Sequence, residues 1–121
     1  MKQHSQISGA EFEVMQILWE ADEPLSVQAV CDRLPSNKWA YKTVGTLLTR
    51  MEEKGAVSSE KRGRTNYYTP ILNKEDYMKE QTREFVSRLY HGSVKDLAVS
   101  LFKSEDMTES DIAEIRKMFD L

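Results

Sequence analysis

Val14, Met15, Leu18 and Trp19 recur at helical spacing behind Ser8 and Glu11. A serine followed three residues later by glutamate is a capping box, so the pattern predicts a helix from about Gly9 to about Ala21. Pro24 ends that run, and Ser26 supplies an N-cap for a short second helix, VQAVCDRL, which Pro35 halts. The residues PSNKW read as a turn. From about Ala40 to Lys54 a third helix is predicted. At about 100° per residue its Val44, Leu47, Leu48 and Met51 share one narrow arc. Lys42, Thr46, Thr49 and Glu53 lie opposite, with Thr43 and Arg50 on one shoulder. That outer face carries hydroxyls and long cations. Gly55 is a helix stop.

The period then changes. AVSSEK and TNYYTP read as two short strands around RGRT, a hairpin turned at Gly63. Strand side chains alternate, so Tyr67 and Tyr68 are expected on opposite faces, both in packing roles. After Pro70 the helical period returns. Asn73 caps a predicted helix over about Lys74–Tyr90, with Tyr77, Met78, Phe85 and Leu89 among its apolar positions. Gly92 breaks it. Ser93 starts VKDLAVSLF, whose Val94, Leu97, Ala98, Leu101 and Phe102 form an apolar stripe. Thr108 and Asp111 open a last helix with Ile112, Ile115 and Phe119 inward. No repeat or low-complexity segment interrupts the chain.

Charge adds to this picture. The 121 residues have a formal net charge of -3, yet residues 33–64 hold eight basic and three acidic side chains, a local +5. Residues 73–121 hold eight basic and eleven acidic ones, a local -3. A basic middle in an acidic chain points to one face meant for a polyanion.

Three helices, a two-stranded hairpin and a basic turn predict a mainly α fold. A winged helix-turn-helix domain is expected over residues 1–72, with a three-helix region over 73–121. In such domains the third helix enters the major groove and the hairpin reaches phosphates or the minor groove beside it. The candidate DNA-binding residues are Lys42, Thr43, Thr46 and Arg50 on the helix and Lys61, Arg62 and Arg64 on the hairpin. The 49-residue C-terminal half is too short to build a stable core alone, so its stripes are expected to bury against a second copy. Phe85, Leu89, Leu97, Leu101, Phe102, Ile112, Ile115 and Phe119 are the candidate dimerisation residues. Gly45, inside the third helix, has two readings. It costs helix stability, and it also permits close approach of the backbone to DNA.

ISGAEFEVMQILW, KTVGTLLTRMEEKGAV with KRGRTNYYTP, and FVSRLYHGSVKDLAVSLF also resemble, in that order, three stretches of the penicillinase-repressor family of bacterial transcription factors. Phe12 stands where tryptophan is more usual, and Tyr41 replaces a common proline. The resemblance implies a homodimeric repressor of an inverted-repeat operator whose half-sites commonly contain TACA and TGTA. In the family's β-lactam branch a membrane sensor-protease pathway ends repression by cleaving an asparagine–phenylalanine bond in the dimerisation helices. Leu101–Phe102 is the nearest equivalent here, with leucine in place of asparagine. The copper branch senses metal through a C-terminal cysteine cluster that this chain lacks.

Other chemistry finds little support. Cys31 is the only cysteine, which excludes an internal disulfide, and it reads as a small core residue. His4 and His91 have no partner at ligand spacing, so no metal site is expected. The six methionines read as core filler. Without a phosphate loop or nucleophile motif, neither enzyme activity nor a cofactor is expected. A polar N-terminus and the lack of a long apolar run place the protein in the cytoplasm. The alternative is a winged-helix module that binds protein, which would favour an acidic or apolar outer face on the third helix.

Overall fold

The computed structural model describes residues 7–35 and 38–118. His4 and Phe119 therefore lie outside the described residues. Helix α1 (Gly9–Glu20) opens on the expected capping box. The Ser8 hydroxyl accepts from the Glu11 N–H at 3.1 Å, and the Glu11 carboxylate accepts from the Ser8 N–H at 2.8 Å. Ser26 caps α2 (Val27–Arg33) in the same way, accepting from the Ala29 N–H. Helix α3 spans Tyr41–Glu53, and no side chain caps its first turn.

Strands β1 (Val57–Arg62) and β2 (Thr65–Pro70) pair antiparallel from Val57–Pro70 to Arg62–Thr65. Only Gly63 and Arg64 remain in the turn, so the hairpin is one residue tighter than the Arg62–Arg64 connection between the two predicted strands. Gly63 sits at φ 67, where a β-carbon would be strained. Leu25 adds a short third rung, exchanging both backbone hydrogen bonds with Tyr68 at 2.8 and 3.1 Å. From sequence this residue is only part of the connector in which Pro24 ends the first helix. It is in fact an edge pairing that ties the α1–α2 connection to the hairpin.

The chain divides into two compact units, Met1–Asp76 and Tyr77–Leu121. In the first, α1, α2, α3 and the hairpin enclose Val14, Met15, Leu18, Val30, Val44, Leu48, Met51 and Val57, each 0–2% exposed. Burying each of the larger of these contributes about 1.5–3 kcal/mol. Trp19 donates its indole N–H to the Leu72 carbonyl at 2.9 Å and packs edge-on against Phe12. This clamps the exit of the hairpin to α1. Cys31, expected in the core, is only half-buried; burial and then the neighbouring Asp32 charge raise its thiol pKa.

Glu11 is 2% exposed and receives the Lys54 ammonium at 2.6 Å. Burial pushes its carboxyl up, but the bonds from Lys54 and Ser8 outweigh that and hold it below the ordinary 4.5. Lys54 is the C-cap of α3. One ion pair thus bolts the start of α1 to the end of α3.

The second unit continues α4 (Lys74–Tyr90) and adds α5 (Val94–Lys103) and α6 (Glu109–Met118). Asn73, Ser93 and Thr108 cap them as the sequence predicts, Thr108 and Asp111 forming a reciprocal box. Tyr90 donates to the Ser100 hydroxyl at 3.1 Å and holds α4 to α5. Among the described residues of this unit only Tyr77 and Val86 are buried. Met78 and Met118, expected as core filler, are exposed, unlike the buried Met15 and Met51. No described helix is long and apolar enough to cross a membrane.

Candidate nucleic-acid interface

The amphipathic pattern of α3 decides which of its side chains point outward. Val44, Leu47, Leu48 and Met51 are buried, while Lys42, Thr43, Thr46, Thr49, Arg50 and Glu53 are exposed. The outer face forms a shallow depression of about 580 Å³ lined by Lys42, Gly45, Thr46, Thr49, Arg50 and Tyr68 among others. Thr46 donates its hydroxyl to the Lys42 carbonyl, and Thr49 to the Gly45 carbonyl, both at 3.0 Å. Their protons are thereby used inside the helix. What they offer outward is a methyl group and an acceptor.

The hairpin carries its basic residues next to α3 in sequence but does not gather them on one face. Val57, Ser59 and Lys61 share one face with Tyr68, which is 6% exposed, and Ser59 donates to Glu52 of α3 at 2.8 Å. Lys61 therefore continues the α3-facing side. Arg62 lies on the opposite face, 4.9 Å from the centre of the Tyr67 ring and 3.4 Å from Glu60. The expected split of the two tyrosines holds, with Tyr68 buried and Tyr67 half-buried. Arg64 alone of the three occupies the turn. Among the described residues it has no ion-pair partner. The cluster read from sequence is thus one tip cation with one cation on each face behind it.

Two further residues at or before the start of α3 were not among the predicted ones. Tyr41 is 58% exposed at the first turn of α3. Lys38 sits 5.1 Å from the Trp39 ring centre and pairs with Glu13 at 2.7 Å. The wheel carries the signal for Tyr41, which stands one turn before Gly45 on the outer side. Lys38 lies in the connector before α3, and no periodicity marks it. Glu53, at the far end of the depression, is the one acid on this face. Among the described residues no group of three His, Cys, Asp or Glu side chains could hold a metal.

A helix with an exposed row of hydroxyls and cations, held beside a two-stranded hairpin with a cationic tip, defines a winged helix-turn-helix unit. The Penicillinase repressor profile matches residues 7–120, and the chain belongs to that family. It is 28% identical to the penicillinase repressor of Bacillus licheniformis, over 99% of this chain and 94% of that protein. Identity is also 28% to the methicillin resistance regulatory protein MecI of Staphylococcus aureus strain N315, over 93% and 92%. The solution structure of the B. licheniformis BlaI monomeric form in complex with the blaP half-operator superposes with a TM-score of 0.52. That likeness runs at 38% identity over 64% of this chain and 94% of the other. The family is one of repressors, not enzymes.

Proposed function

We propose that this chain is a transcriptional repressor that binds an inverted-repeat DNA operator as a homodimer. Lys42, Thr43, Thr46 and Arg50 of α3 face the major groove in this reading, and Lys61, Arg62 and Arg64 of the hairpin hold the flanking backbone. The observation that carries it is the outer face of α3, whose exposed side chains are short hydroxyls between long cations. Such a face admits the close approach that reading base edges requires. The BlaI complex supports the reading, because a structure that holds the blaP half-operator matches 64% of this chain at 38% identity.

The homodimer rests on the second unit. Phe85, Leu89, Leu101 and Phe102 are 39–53% exposed, and Leu97, Ile112 and Ile115 are half-buried. A second copy covering these stripes supplies the core the unit lacks. The position nearest to the family's cleaved bond is Leu101–Phe102, where leucine replaces the asparagine of the pattern. A cut there falls within α5 and separates most of it from α6. A DNA partner places the protein in the cytoplasm.

The test is anisotropy of the full chain with a random duplex and with a duplex it enriches from a random pool, between about 50 and 200 mM salt. Log affinity is expected to fall linearly with log salt, by about 0.9 for each phosphate neutralised, and to be higher for the enriched duplex. A protein-binding module would show no salt-dependent shift with either.

A further inference from the structure

Gly45 is the one residue on the outer face of α3 that the fold itself does not explain. Its backbone is helical and not in the left-handed region, so no conformation demands glycine there. A β-carbon built on it meets nothing within 4 Å, so no packing demands it either. Glycine inside a helix is nevertheless less stable than alanine there. The chain keeps a residue that weakens its recognition helix and returns nothing within the chain.

The surroundings indicate what the missing side chain leaves room for. Tyr41, Gly45 and Thr49 stand four residues apart and form one row along the helix. Tyr41 and Thr49 are exposed, and Gly45 forms a notch between them on the floor of the depression described above. The threonine hydroxyls beside the notch have no proton to spare. The Thr49 hydroxyl is spent on the Gly45 carbonyl itself, and the neighbouring Thr46 hydroxyl on Lys42. What the row presents outward is a glycine α-carbon, threonine methyls with their acceptor oxygens and the Tyr41 ring with its hydroxyl, while Lys42 and Arg50 line the same depression. The floor at Gly45 itself carries no polar side-chain atom, so a donor or acceptor set directly on it finds no matching partner. The C5-methyl group of thymine, the one apolar group on a major-groove edge, does.

We propose that Gly45 is a specificity-determining position, a notch that takes a thymine methyl from each half-site. This rests on the DNA-binding reading above, and the experiment separates the two. The full chain enriches its own duplex from a random pool, and each thymine of that duplex is then replaced in turn by uracil, which lacks only the methyl. At one position per half-site the replacement is expected to weaken binding about fourfold, the effect of burying one methyl group. Gly45→Ala fills the notch. It is expected to raise the thermal midpoint, to weaken binding of the thymine duplex roughly tenfold, and to lose the uracil penalty at that position.

A variant that binds the thymine duplex as well as the parent does, or that keeps the full uracil penalty, overturns the assignment. So does a lower thermal midpoint, which would mean that the fold needs the glycine. If the parent chain enriches no duplex at all, the DNA-binding reading falls and the notch falls with it. If the parent enriches a duplex but no thymine is sensitive to uracil, only the notch falls.

Discussion

The first unit buries Val14, Val30, Val44, Leu48 and Met51 to 0%, whereas α5 and α6 of the second bury no side chain. Both units have side-chain-capped helices, α3 excepted, and amphipathic stripes, so neither local propensity nor hydrophobic pattern separates them. The difference lies in what the stripes meet. In the first unit four elements cross over one another and each apolar arc faces another. In the second, three helices leave Val94, Leu101 and Phe102 at 47–68% exposure. An amphipathic helix specifies a face to be covered. It does not specify that its own chain covers it.

The largest test of this contrast replaces Leu101 with glutamate. In a chain that pairs through the second unit, the substitution places an unpaired charge under the partner, at a cost that exceeds the packing of one leucine side chain. Light scattering is expected to report monomers, and operator affinity to fall by orders of magnitude. A variant that still scatters as a dimer would move the interface elsewhere. Leu48→Ala probes the other side of the contrast. It opens a cavity in a closed core and is expected to cost about 2–5 kcal/mol of unfolding free energy, largely independent of protein concentration. Leu101→Ala, by comparison, is expected to act mainly through a concentration-dependent melting midpoint.

A smaller effect comes from the bolt between α1 and α3. The Glu11 carboxyl is held below its ordinary 4.5, so its stabilising contribution is complete above about that pH and is lost as pH falls through the folded value. Lys54→Met removes the first of the lowering partners while burial and the Ser8 bonds remain, so the carboxyl moves up from its present position. The variant is expected to lose about 1–3 kcal/mol at neutral pH, with the deficit narrowing on acidification below about pH 5. Urea titrations of both proteins between pH 3 and pH 7 (about that range suffices) check it. A deficit that stays constant with pH would mean that Lys54 acts through packing alone.

Much of the first unit was legible in the sequence because its signals are local. Ser8 with Glu11, Ser26 before α2, Gly63 between two strands and the arc of Val44, Leu47, Leu48 and Met51 each announce themselves within a few residues. What the sequence did not disclose is pairing across distance. The Leu25–Tyr68 rung joins residues 43 positions apart in the chain, and Lys54 reaches Glu11 over the same span. Neither leaves a periodic trace. The hairpin cations were legible as a charge cluster. Their division between Lys61 on the α3 side, Arg62 against Tyr67 and Arg64 at the tip follows from the strand register. Cys31 and Met118 depart from expectation because an apolar residue at a helical position reads as core whether or not anything covers it.

The most direct test of the division between helix and hairpin is the salt dependence of binding for Arg64→Ala and Thr46→Ala, each on the enriched duplex and on a scrambled one. Phosphate contacts position the protein, whereas contacts to base edges specify sequence. Arg64→Ala is expected to weaken both duplexes about equally and to flatten the plot of log affinity against log salt by about 0.9 for each phosphate no longer neutralised, doubled in a symmetric dimer. Thr46→Ala is expected to leave that slope alone and to reduce the preference for the enriched duplex by about 1–3 kcal/mol per disturbed base pair. An unchanged slope in Arg64→Ala together with a flattened one in Thr46→Ala would contradict the account and exchange the roles of α3 and the hairpin.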